Sequence, residues 1–117
     1  MKNIKVLLEY DCFPVWYCNE EGFFEPDFDN KLKLPDELWR RFEKVSNDYD
    51  NLFTNNEHEF SWNGFGSVDE LYKFTDFLKE SISLLREALG SEAVIQVRFD
   101  FDDLIKGELK EKGWKPR

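Results

Sequence analysis

The sequence predicts an α+β fold: a small antiparallel sheet, made of an N-terminal hairpin and a returning C-terminal strand, with two helices packed on one face. Three observations carry this. Residues 4–10 and 93–101 alternate apolar with polar side chains, the period of a half-buried strand. Two stretches between them repeat apolar residues every three or four positions, the stripe of an amphipathic helix. Finally, 117 residues fit a single domain spanning 1–117 with one core.

Ile4, Val6, Leu8 and Tyr10 share one face of the first strand, with Lys5 and Glu9 on the other. Asp11-Cys12-Phe13-Pro14 turns the chain into a short aromatic strand, Val15–Cys18. Asn19-Glu20-Glu21-Gly22 is a second turn, and Phe23-Phe24-Glu25 extends the meander until Pro26. Pro35 opens the first helix, where its missing N–H costs nothing, and Asp36 and Glu37 suit the positive helix end. Its stripe is Leu38, Phe42, Val45, Tyr49 and Leu52. A polar loop is expected over 55–66. Ser67-Val68-Asp69-Glu70 reads as a capping box for the second helix, whose stripe runs Leu71, Phe74, Leu78, Ile82, Leu85, Leu89 before Gly90 stops it. The returning strand, 93–101, is expected beside the first. Residues 103–117 carry weak amphipathy broken by Gly107 and Gly113, and read as a loosely docked tail.

The chain offers little for catalysis. GxGxxG, Walker, HExxH and CxxC patterns are absent. His58 lies between Glu57 and Glu59; a general base is one reading, but no Ser or Cys stands in a nucleophile elbow, and a solvated loop histidine fits better. Cys12 and Cys18, with one histidine, fall short of a zinc ligand set and read as reduced thiols. Asp100, Asp102 and Asp103 lack the rest of a calcium loop and read as a solvated strand end. No cofactor is expected. Neither a secretory h-region nor an apolar run long enough to span a bilayer is present, so the expected location is the cytoplasm.

Charge is more informative. Sixteen basic against 25 acidic residues give a net −9, which disfavours nucleic acid and anionic membranes as partners and favours a cationic protein. No Lys or Arg lies between Val6 and Asn30, where seven acids sit: Glu9, Asp11, Glu20, Glu21, Glu25, Asp27 and Asp29. The same holds between Val45 and Tyr72, with Asp48, Asp50, Glu57, Glu59, Asp69 and Glu70. Both regions are rich in rings, and the stripes already supply a core's worth of large apolar side chains. Phe60, Trp62 and Phe65 are therefore in surplus. Rings among carboxylates suit protein docking, rings supplying burial and acids steering a basic partner. The expected partner-binding residues are Glu57, Glu59, Trp62 and Phe65, with Glu20, Glu21, Glu25, Asp27 and Asp29.

The run Val6-Leu7-Leu8-Glu9-Tyr10-Asp11-Cys12-Phe13-Pro14-Val15-Trp16, then Asn19-Glu20-Glu21-Gly22, resembles the opening of small acidic bacterial immunity proteins encoded beside polymorphic toxins. Leu34-Pro35-Asp36-Glu37-Leu38, the Phe60-Ser61-Trp62-Asn63-Gly64-Phe65 loop and the 93–97 strand are similar too. The resemblance covers most of 4–100 and implies an immunity protein of the contact-dependent growth inhibition type. Such a protein is no enzyme: it binds and blocks its lineage's toxin domain, often a nuclease, here expected as a monomer in a 1:1 complex. A positive nuclease cleft and an acidic, ring-bearing inhibitor are complementary. The alternatives are an acidic adaptor for another basic protein and a small hydrolase built on His58.

Overall fold

A computed structural model describes residues 1–117. Six strands and three helices follow one another as β1 (Lys2–Val6), β2 (Val15–Cys18), β3 (Phe24–Pro26), α1 (Asp36–Asp50), β4 (Phe53–Asn55), β5 (Phe60–Trp62), α2 (Val68–Leu89), β6 (Ala93–Val97) and α3 (Phe101–Lys112), with a 3₁₀ turn at Gly90–Glu92. The main sheet has the order β3-β2-β1-β6, and β4-β5 form a separate two-stranded ribbon.

The α+β class and the returning strand beside β1 are as the sequence predicts. The sheet, however, is mixed: β1, β2 and β3 run antiparallel, whereas β6 lies parallel to β1, pairing Lys2 with Ala93 and Val6 with Val97. The direction follows from α2. Its 22 residues span about 33 Å and return the chain to the end of the sheet where β1 begins.

Each long helix buries its predicted stripe. Leu38, Phe42 and Val45 of α1 and Leu71, Phe74, Leu78, Ile82 and Leu85 of α2 close over Ile4, Val6 and Val15 of the sheet. The Ser67 hydroxyl accepts from the Glu70 N–H at 3.1 Å, and the Glu70 carboxylate accepts from the Gly66 N–H at 3.1 Å, one residue ahead of the usual capping-box partner. Gly90 ends α2 at a φ of 64° and a ψ of −157°, a combination that essentially only glycine adopts. Arg41 ties the helices together, donating to the Ser81 hydroxyl at 2.9 Å with its guanidinium 4.1 Å from the Phe77 ring centre.

Four local expectations change. The first strand stops at Val6 because the chain folds back, the Leu7 N–H bonding the Pro14 carbonyl and Asp11 taking a φ of 59°. The loop expected over 55–66 contains half of the β4-β5 ribbon, too short to show a period. The last strand ends at Val97. Asp100 then caps α3 by accepting from the Asp103 N–H at 3.0 Å, so the acidic trio opens a helix. Where the sequence suggests a loose tail, α3 packs Leu104, Ile105 and Leu109 against the core, and Trp114 follows it there. Gly107 faces open space and does not break it, while Gly113 takes the left-handed cap. No helix is long and apolar enough to cross a membrane.

Candidate partner-binding surface

The surface is assembled from three separated pieces of chain: the turn after β1, the end of α1, and the ribbon. In the turn, the Asp11 N–H donates to Oδ1 of Asp50 at 3.0 Å, and Ser46 Oγ donates to the Cys12 carbonyl at 3.2 Å. These bonds bring Glu9 and Asp11 to the C-terminal end of α1, already the negative end of the helix dipole, where the last turn holds no basic residue. The negative potential is felt by two neighbours. Burial first, then Glu9, Asp11 and Asp50, push the Cys12 thiol up from its ordinary value. Burial, Asp50 and Glu9 do the same to the Tyr49 phenol.

The ribbon carries the rings. Register pairs Phe53 with Trp62 and Asn55 with Phe60, putting three aromatic side chains on one face. Phe53 and Phe60 stack with centroids 5.1 Å apart, Trp62 meets Phe53 edge-on at 5.1 Å, and Tyr10 meets both phenylalanines at 5.2 and 4.9 Å. Tyr49 of α1 closes the cluster, 5.3 Å from Phe53. The turn at its tip is held by Asn56, whose Oδ1 accepts from the N–H groups of His58 and Glu59 at 2.8 and 3.1 Å. His58 is exposed there, and its side chain has no hydrogen-bond or ion-pair partner.

Of the expected ribbon residues, Glu57 and Glu59 are exposed, and Trp62 keeps 38% of its surface in water beside Phe60 at 56%. Phe65 is corrected: at 4% exposure it belongs to the core, against Phe74 at 5.3 Å. Its apolar neighbours on α2 draw it inward.

The N-terminal group is arranged differently. Glu20 and Glu21 are exposed on the β2-β3 turn, held by Asn19, whose Oδ1 accepts from the Glu21 and Phe23 N–H groups at 3.0 Å. Glu25 is half-buried and accepts from Asn19 Nδ2 at 2.7 Å; Asp29 is exposed. Asp27 is corrected as well. It is 1% exposed, and its carboxylate accepts from the Lys31 and Leu32 N–H groups at 2.7 and 3.1 Å, so it builds the turn into α1 instead of facing a partner. The β2-β3 turn lies at the Lys2 end of β1 and the ring cluster beyond the Val6 end. The sheet thus separates Glu20 and Glu21 from Glu57 and Glu59.

Six ion pairs form in the molecule, and none reaches Glu9, Asp11, Asp50, Glu57 or Glu59. Sequence reasoning did not place Glu9, Tyr10, Asp11, Tyr49, Asp50, Phe53 or Phe60 in this candidate surface. Tyr10 and Tyr49 read as strand and helix stripe, and only the turn after β1 brings them to the ribbon. No group of three or more His, Cys, Asp or Glu side chains could hold a metal ion. A cleft of about 640 Å³ between α1, α2 and residues 64–66 is lined by Lys44, Asp48, Phe65, Glu70, Lys73 and Phe77 among others, with no Ser, Cys or His on its wall.

Compared with known proteins, residues 2–100 match the family described as Serratia CdiI immunity protein-like. No curated protein gives a significant match.

Proposed function

The chain belongs to the Serratia CdiI immunity protein-like family, and from that premise we propose that it neutralises a secreted nuclease toxin by covering the toxin's basic active-site region. Its role is that of an immunity protein, whose partner is a cognate toxin protein. The finer reading is that the ring cluster and its carboxylates form the contact. The single observation that supports it is the set of five carboxylates without a cationic partner around two exposed rings, Phe60 and Trp62. Uncompensated charge of one sign costs stability and is of use to a partner of the other sign. Glu9, Asp11, Asp50, Glu57 and Glu59 steer the encounter, while Phe60 and Trp62 supply burial. Glu20, Glu21, Glu25 and Asp29, across the sheet, act only as part of the long-range field. The complex is 1:1 and forms in the cytoplasm, where an incoming toxin must be met before it acts.

The test is co-expression with the toxin domain encoded beside this gene. Cells survive and the two proteins co-purify; association slows steeply with added salt; and Glu57→Lys with Glu59→Lys weakens the complex more than Glu80→Lys with Glu87→Lys on α2. Equal losses at both places remove the ribbon as the contact, and failure to co-purify favours an adaptor for another basic protein. His58→Ala leaves neutralisation intact; a lost catalytic activity would revive the hydrolase reading.

A further inference from the structure

We propose that Glu108 of α3 is a positioning residue for this docking surface, latching Trp62 in the orientation that a partner meets. The inference rests on the reading above, with the ribbon as the contact face. It comes from a buried charged residue that the fold alone does not require. Glu108 is 3% exposed, and carboxylates are rarely buried unless paired. Its Oε1 accepts a hydrogen bond from the Trp62 indole N–H at 3.0 Å. Its Oε2 lies 3.2 Å from the Lys112 ammonium, an ion-pair contact without hydrogen-bond alignment. Lys112 in turn donates to the carbonyl of Asn63 at 2.9 Å and to that of Phe65. The carboxylate fills the space beside Gly64 where a Cβ would stand, and Gly64 has a φ of 74°, so the turn below Trp62 is fitted to this one side chain.

Apolar side chains at 108 and 112 together would dock α3 onto the core at least as cheaply, because burying an ion pair is costly unless every lone pair is used. What the carboxylate adds is a directional acceptor for one indole N–H. Trp62 is thereby pinned along its polar edge while more than a third of its surface stays in water. A ring fixed before the encounter loses less freedom on binding. The latch comes from residues beyond the 2–100 family match, so this chain's own C-terminal helix tunes a surface carried by the family-matched part.

The experiment compares Glu108→Met, which keeps volume and removes the acceptor, with Glu108→Gln, which keeps an acceptor, in the full chain binding its toxin domain. Glu108→Met raises the dissociation rate about tenfold and leaves the association rate unchanged, since most affinity differences within one interface lie in dissociation. Glu108→Gln stays within about twofold of wild type. The ¹H–¹⁵N signal of the Trp62 indole moves in the first variant and holds in the second. If Glu108→Met fails to fold, Trp62→Phe cuts the same hydrogen bond from the donor side and gives the same tenfold rise. Wild-type dissociation in Glu108→Met or Trp62→Phe, while Trp62→Ala dissociates faster, overturns the latch and leaves the ribbon reading standing. Wild-type binding by Trp62→Ala overturns both.

Discussion

Two parts of this molecule look alike in sequence and differ in what their acids do. The β2-β3 region and the ribbon region each combine carboxylates with rings and lack Lys and Arg over long stretches. In the first, two of the acids are consumed by local architecture, Asp27 holding two backbone N–H groups and Glu25 holding Asn19, while Glu20, Glu21 and Asp29 stay exposed and Phe23 and Phe28 stand as separate exposed rings. In the second, rings from three chain segments pack on one another and the carboxylates around them form no ion pair, although Asp50 accepts from the Asp11 N–H and Glu59 from the Ser61 hydroxyl. An acid in a turn often serves a backbone N–H, as Asp27 does; what the ribbon region adds is a tertiary ring cluster beside its acids. Local composition does not separate the two cases; the packing of rings from distant segments does.

The comparison can be broken first at Asp27. Asp27→Ala leaves two part-buried N–H donors without their acceptor and is expected to cost about 2–3 kcal/mol in chemical denaturation, since hydrogen bonds to a charged acceptor are the stronger kind. A loss below about 0.5 kcal/mol would mean that the turn does not depend on it. Next comes charge reversal. Glu57→Lys with Glu59→Lys should slow association with the toxin about tenfold at low salt, and Glu20→Lys with Glu21→Lys only about twofold, because exposed charges act within a Debye length. The opposite ranking in stopped-flow measurements would move the contact to the β2-β3 turn. The smallest effect is at Cys12. Its thiol holds its proton more tightly than an ordinary cysteine, so Glu9→Gln should lower that pKa and speed iodoacetamide labelling at pH 8 about twofold, with Glu20→Gln without effect. The sign extends to stability. A pKa raised by folding contributes fully below the unfolded thiol's value and is lost as pH climbs through the folded one.

The sequence was most readable where one interaction dominates. Leu38, Phe42 and Val45, or Leu71, Phe74 and Leu78, announce a helix face because burial of a stripe needs only local periodicity. Ser67 and Gly90 mark the ends of α2 for equally local reasons. Residues 101–112 were harder, since their stripe is thin and their cap, Asp100, also fits a strand end. Exposure at the candidate surface was half readable. Exposed Glu57, Glu59 and Trp62 stood out through charge and surplus rings, but Phe65 carries the same local signal and is core.

The amino-acid sequence by itself determined the acidic balance, the long helices with their caps, and the α+β class, because charge adds residue by residue and periodicity is a property of a short window. Only the tertiary structure decided the parallel course of β6, the meeting of Tyr10 and Tyr49 with the ribbon, the withdrawal of Asp27, and the grip of Glu108 on Trp62. Each of these joins groups distant along the chain or depends on which neighbour reaches a donor first. Such choices are settled by packing the whole core, and no window of the sequence contains them.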